Sequence, residues 1–126
     1  MPRRILIADD SALIRRIVRS YLEKSRDVEI CGEASDGEQA VELVLKLNPE
    51  AVVLDFSMPT MNGLEAAQLM AELSPNTRVV LFTAHDTVLV RSRAVRAGVK
   101  AVVAKDGKAS LEALKLALAG DEPVAA

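Results

Sequence analysis

Three carboxylates, one hydroxyl and one ammonium stand at equivalent places in this chain, each just past a short apolar run. Asp9 and Asp10 follow residues 5–8, Asp55 follows residues 51–54, Thr83 follows residues 78–82 and Lys105 follows residues 101–104. If those runs are neighbouring strands, the five side chains converge on one edge. Clustered carboxylates repel each other and need a cation, and hard oxygen ligands that leave room for water suit Mg2+. Three carboxylates, one lysine and one Mg2+ together carry no net charge. The metal would thus neutralise the cluster and leave a carboxylate oxygen able to attack. An aspartate can accept a phosphoryl group and form an aspartyl phosphate. Charge on the phosphoryl oxygens would then be met by Mg2+ on one side and Lys105 on the other, with the Thr83 hydroxyl donating to a third oxygen.

Each residue alone has a plainer reading. Asp9 and Asp10 suit the positive end of a helix begun by Ser11. Asp55 suits a turn, Thr83 a strand-end hydroxyl, and Lys105 a solvated surface. The joint order Asp-Asp, Asp, Thr, Lys at successive strand ends is what argues for a site.

The elements that must position these residues alternate along the chain. Residues 5–8 form a first strand. Residues 11–24 follow as a helix, with Leu13, Ile14, Ile17, Val18, Tyr21 and Leu22 at helical spacing. Residues 28–34 are a second strand. Ser35 and Glu38 stand three apart, a capping-box signal for a second helix, which Asn48 and Pro49 stop. Residues 51–54 form the third strand, and the segment from Phe56 to Asn62 reads as a loop. Residues 63–73 form a helix ended by Ser74, Pro75 and Asn76. Residues 78–82 are the fourth strand, and residues 87–97 a helix closed by Gly98. Residues 101–104 are the fifth strand; after Asp106 and Gly107, residues 109–119 are the last helix. Apolar strands alternating with helices predict an α/β fold with a parallel sheet covered on both faces. Right-handed crossovers make it an open, doubly wound sheet. In such sheets ligands bind beyond the carboxyl ends of the strands.

The bulk numbers bound the answer. A chain of 126 residues fits one domain: residues 1–120, with 121–126 as a tail or linker stub. The only aromatics are Tyr21, Phe56 and Phe82, so Val, Leu, Ile and Ala must build the core. The single cysteine, Cys31, cannot form an intrachain disulfide and suits a small apolar place in the second strand. A net charge of −2 gives no basic footprint for nucleic acid. No apolar stretch approaches the length of a membrane span, and the run after Arg3 and Arg4 is too short for a signal-peptide core. The expectation is a cytoplasmic protein without a membrane partner.

The segment Asp55, Phe56, Ser57, Met58, Pro59, Thr60, Met61, Asn62, Gly63, together with Asp9-Asp10, Phe82-Thr83-Ala84 and Lys105, resembles the response-regulator receiver family of two-component signalling. The resemblance covers nearly the whole chain. It implies a flavodoxin-like sheet of order 2-1-3-4-5 with five helices. It also implies Asp55 as the phosphorylation site, and Mg2+ held by Asp9, Asp10, Asp55 and the backbone carbonyl of Ser57. Thr83 and Lys105 would contact the phosphoryl group. The partner implied is a sensor histidine kinase or phosphotransfer protein, docking in part on residues 12–19. The domain would be a signalling phosphoacceptor rather than a turnover enzyme. Lys105-Asp106 is similar to NarL/FixJ-type regulators, whose output is a helix-turn-helix DNA-binding domain. DNA contact is therefore expected only through an output domain outside this sequence.

Departures from the family pattern set further expectations. Val102 stands where many receivers carry an aromatic that swings inward on activation, so Thr83 and the loop after the fourth strand are expected to carry the signal. Ser57 and His85 occupy positions that tune phosphate lifetime in the family; His85 is either a plain loop residue or a screen between the aspartyl phosphate and water. Arg91, Arg93, Arg96 and Lys100 are either a solvated face or part of a homodimer or output surface on helix four, strand five and helix five. Pro59 and Gly63 are scaffold residues: proline fixes a φ angle, and glycine permits a tight turn into the third helix.

Two other classes fit less well. An aspartate-nucleophile phosphatase of the haloacid-dehalogenase type needs Asp-x-Asp after its first strand and a capping insertion. A flavin or nucleotide module needs a Gly-, Ser- or Thr-rich phosphate loop where Asp9, Asp10 and Ser11 stand. Turnover of a generic phosphatase substrate, or a coloured preparation, would favour one of these.

Overall fold

The computed structural model describes residues 1–120; the predicted tail, 121–126, lies outside the described residues. The order is β1 (Arg3–Ala8), α1 (Ala12–Leu22), β2 (Val28–Ala34), α2 (Gly37–Leu47), β3 (Ala51–Leu54), α3 (Gly63–Leu73), β4 (Arg78–Thr83), α4 (Val88–Arg96), β5 (Ala101–Ala104) and α5 (Lys108–Ala119). All pairings are parallel, and the sheet runs β2-β1-β3-β4-β5, the predicted order.

Two cores cover the sheet. On one face Leu6, Val52, Leu54 and Leu81 pack against Ala40, Val44, Ala66, Met70 and Ala94 from α2, α3 and α4. On the other, Ile5, Ile7, Val53 and Val80 pack against Val18 and Leu22 of α1 and Leu114 and Leu118 of α5. The central strand β3 is buried throughout, as its unbroken apolar run requires. β2 and β5 are edges and only partly buried, which explains how β2 tolerates Glu29 and Glu33. No helix among the described residues is long and apolar enough to cross a membrane.

The predicted capping box at Ser35 and Glu38 is not formed. The N-cap of α2 is Asp36, whose side chain accepts the Gln39 N–H at 2.8 Å, while Gln39 Oε1 accepts the Ser35 N–H at 2.8 Å. The helix starts one residue later than the Ser35 signal because Gly37 is pressed against the loop after β3. A Cβ there would overlap the Met61 carbonyl, and the Gly37 N–H donates to Pro59 O at 3.2 Å. Thr60 holds that contact from the loop side. Its φ is +67°, rare for a β-branched residue, and its hydroxyl bridges Asp36 Oδ1 at 3.2 Å and the Glu38 N–H at 3.1 Å. Asn62 caps α3 in a full box with Glu65.

The remaining stops follow the sequence signals. Asn48 takes the left-handed conformation at φ 49°, and Gly98 at φ 88° follows α4. Thr83, expected just past its strand, is the last residue of β4 and pairs with Ala104.

Candidate functional site

The carboxyl ends of β1, β3, β4 and β5 lie side by side, so the five chemical residues gather as their spacing predicted. One carboxylate oxygen from each of Asp9, Asp10 and Asp55 lies within 4.8 Å of the others, a group that could hold a metal ion. Asp9 and Asp55 are buried and Asp10 is exposed. The donor set is all hard oxygen with one open side, which suits a small hard dication and its waters. The Asp55 N–H donates to Ala8 O at 2.9 Å and the Asp9 N–H to Ala34 O at 3.0 Å, so the strand ladder itself sets their spacing.

Lys105 reaches into this cluster from the end of β5. Its Nζ is 2.7 Å from Asp9 Oδ2 and 3.1 Å from Asp55 Oδ1, with the ring of Phe82 beneath it. One ammonium thus offsets two buried carboxylates. The Asp55 carboxyl is nonetheless pushed above its ordinary value: burial raises it most and the Asp9 charge adds, while Lys105 and the Phe56 backbone N–H pull the other way. Thr83 is fully buried; its hydroxyl accepts the His85 N–H at 3.0 Å and keeps its own proton to donate. The Lys105 N–H donates to Thr83 O at 2.9 Å, which ties the two strand ends together.

Ser57 lies exposed in the loop two residues past Asp55. Its neighbour Phe56 meets the His85 ring edge-on, centroids 5.7 Å apart, so His85 leans over the loop that carries Asp55. Gly63, expected as a scaffold residue, closes that loop: its N–H donates to Phe56 O at 2.7 Å, and a Cβ there would overlap the Asp55 carbonyl.

The arginine group divides. Arg91 is not simply solvated: it forms a two-pronged ion pair with Asp86, at 2.6 and 2.9 Å, and donates to Val102 O at 3.3 Å. It therefore joins the loop after β4 to β5. Arg93, Arg96 and Lys100 are exposed. Val102 packs against the α2–α4 core.

Sequence reasoning passed over two groups beside the site. Thr60 and Gly37 bolt the β3–α3 loop to α2; neither carries a motif that spacing would pick out. Arg15 donates to the Asp9 carbonyl at 2.6 Å and pairs with Glu33 at 2.9 Å, a contact no linear signal announces.

A parallel sheet of this order, with an acidic cluster, lysine and threonine at its carboxyl edge, is the architecture of a receiver-type signalling domain. The family model described as the response regulator receiver domain matches residues 5–117, and the chain belongs to that family, a signalling domain of two-component systems. The chain is 36% identical over 124 residues to the nitrate/nitrite response regulator protein NarL of Escherichia coli (strain K12), covering 95% of this chain and 56% of that one. It is 34% identical over 105 residues to the chemotaxis protein CheY of Thermotoga maritima, covering 83% of this chain and 87% of that one. Among solved structures, a DNA-binding response regulator of the LuxR family from Staphylococcus aureus superposes with a TM-score of 0.86 at 27% identity, over 94% of this chain and 98% of that one. The chain therefore spans about half of NarL and most of CheY.

Proposed function

We propose that this receiver domain, residues 1–120 with 121–126 as its tail, takes a phosphoryl group onto Asp55 from a sensor histidine kinase or phosphotransfer protein. The domain then changes conformation to control an output, transcription in this reading. The observation that carries it is Lys105 Nζ, in contact with Asp9 and Asp55 at once, inside a cluster of three carboxylates. A buried Asp55 oxygen attacks phosphorus as the bond to the donor's histidine nitrogen breaks, and that nitrogen keeps the electron pair. Asp9, Asp10, Asp55 and the Ser57 carbonyl would hold Mg2+, which supplies positive charge to the phosphoryl oxygens. Lys105 meets the same charge from β5, and Thr83 donates its hydroxyl. The domain promotes only its own phosphorylation and dephosphorylation. The cytoplasm, where Cys31 stays reduced, is its place in this reading. Incubation with Mg2+ and a small phosphodonor should add one phosphoryl group by intact mass; no gain with any donor overturns the reading.

Lys105 occupies the carboxylates that the metal would use. Lys105→Met should therefore bind Mg2+ about fivefold more tightly, as removal of one nearby like charge implies, while phosphoryl uptake slows. Titration calorimetry on the unphosphorylated chain measures the first effect, and weaker Mg2+ binding would contradict it.

His85 shields the loop beside Asp55 through its contact with Phe56. His85→Ala should shorten the aspartyl-phosphate lifetime severalfold; an unchanged dephosphorylation rate removes the shielding role. The signal leaves through Thr83 and the loop after β4. Arg91 links Asp86 of that loop to Val102 of β5 and so supplies a polar route where the family's aromatic is missing. The α4–β5–α5 face, with Val88 and Val95 exposed, is the homodimer or output surface in this reading. DNA is reached through a separate output domain, as the LuxR-family neighbour suggests.

A further inference from the structure

The geometry points to Arg15 and Glu33 as positioning residues for the Asp9-Asp10 pair, brought into place by a bulge in β2; this rests on the reading of Asp9, Asp10 and Asp55 as a Mg2+ site. The register of β1 and β2 runs Ile5 to Ile30 and then Leu6 to Gly32, so Cys31 is an extra, unpaired residue. Residues an even number apart normally share a face of a strand. Ile30 packs in the core beneath α1 and α5, yet Ala34, four positions on, packs in the core beneath α2, α3 and α4. The bulge has reversed the phase. Without it Glu33 would face α2; with it Glu33 faces α1. Bulges beside functional sites often re-aim a side chain in this way.

On that face Glu33 takes two arginines. Its Oε1 is 2.9 Å from Arg15 Nε and its Oε2 is 2.7 Å from Arg19 Nη1. The hydrogen bond from Arg19, then that from Arg15, holds the Glu33 carboxyl below its ordinary value. Fixed at one prong, the Arg15 guanidinium uses the other to donate to the Asp9 carbonyl at 2.6 Å. That carbonyl belongs to the peptide joining Asp9 to Asp10. The N–H of Asp9 is held by Ala34 O at 3.0 Å, at the end of the ladder that resumes past the bulge. Both ends of Asp9 are thus gripped, and the plane of the Asp9-Asp10 peptide is set before any cation arrives. Groups that orient metal ligands in this manner typically change affinity about 10- to 100-fold when removed.

Charge alone predicts the opposite result, which makes the test sharp. Arg15 is a cation near the acidic cluster, so its loss should tighten Mg2+ binding if only Coulomb repulsion matters. If it positions the ligands, its loss should weaken binding. Arg15→Met, Arg15→Lys, Glu33→Gln and Arg19→Met are compared by Mg2+ titration calorimetry on unphosphorylated chain, with circular dichroism to establish folding. Arg15→Met should weaken Mg2+ binding about tenfold. Arg15→Lys keeps the charge but lacks the fork needed to span Glu33 and the Asp9 carbonyl, and should recover part of the loss. Glu33→Gln should fall between Arg15→Lys and the parent, and it covers the case of an Arg15→Met chain that does not fold. Arg19→Met, which leaves the contact of Arg15 with Asp9 in place, should stay near the parent. Unchanged or tighter binding in folded Arg15→Met, or a larger loss in Arg19→Met than in Arg15→Met, overturns the positioning role. A parent chain that shows no Mg2+ binding overturns the metal site and this role together, so the two failures are distinguishable.

Discussion

Asp55→Asn should abolish phosphoryl uptake completely while leaving the chain folded and, at neutral pH, more stable than the parent. Loss of uptake follows because an amide oxygen cannot form the aspartyl phosphate that the proposed reading assigns to Asp55. The stability gain follows from the raised carboxyl of Asp55. Burial first, and the Asp9 charge second, make the folded chain hold the Asp55 proton more tightly than the unfolded chain does. A group with a raised folded value favours folding when protonated and loses that contribution as pH rises through the folded value. Ionised Asp55 therefore costs stability at neutral pH, and asparagine removes the cost. The advantage of Asp55→Asn should shrink as pH falls below the ordinary carboxylate range, where Asp55 is protonated in both states. Intact mass after phosphodonor treatment checks the first effect, and melting curves across pH check the second. A mutant that still gains a phosphoryl group would move the acceptor elsewhere; one less stable than the parent at neutral pH would mean that the Lys105 contact outweighs burial.

Gly63→Ala should be among the most damaging single-methyl additions in the chain. Gly63 opens α3 directly beneath the turn that carries Asp55. A Cβ there would overlap the Asp55 carbonyl oxygen and stand 2.9 Å from Phe56 Cα, and both are backbone atoms that no rotamer change can move aside. Either α3 must lift or the Asp55-Phe56 peptide must turn. The expected cost is about 3 kcal/mol, a fall in melting temperature of about 10 °C. Phosphoryl uptake should fall as well, because the displaced peptide carries the acceptor. Gly32→Ala is the contrast: its Cβ would meet only side-chain tips, Leu47 Cδ1 at 3.0 Å and Leu6 Cδ1 at 3.3 Å, which can shift. It should cost less than about 1 kcal/mol. Equal melting temperatures for the two variants would show that the loop after β3 is soft enough to absorb the methyl group.

In the proposed reading, phosphorylation at Asp55 and escape of the signal from it draw on different parts of the molecule. Asp9, Asp55 and Lys105 are held by backbone hydrogen bonds that carry the ladder past the strand ends. Thr83, Asp86 and Arg91 belong to the β4 end, the loop after it and α4, where polar contacts replace packing. Val102 of β5 packs in the neighbouring core and its carbonyl accepts from Arg91; in the proposed reading the polar contacts of Arg91 carry the coupling.

Much of this was legible in the linear chain, for a physical reason. Short apolar runs buried on both faces have no tolerance for charge, so the first charged or polar residue after each run marks the strand end. The positions of Asp9 and Asp55 were therefore fixed by burial, as was the alternation that makes the sheet parallel, while Lys105 was marked by the end of the apolar run of the edge strand β5. The stop at Gly98 was legible because few residues accept a left-handed backbone, and the stop at Asn48 because proline follows it. What the tertiary structure decided depends on contacts between distant segments. Ser35-Glu38 is the capping pair the spacing suggests, yet Asp36 caps α2, where Met61 and Pro59 press on Gly37. Arg91 read as surface charge until Asp86 and Val102 were seen to share it. The two-arginine contact of Glu33 has no linear signal, because a bulge at Cys31 leaves no signature in composition or spacing. A strand's phase is set by which of its residues pair across the ladder, and that is known only once the neighbouring strand is in place.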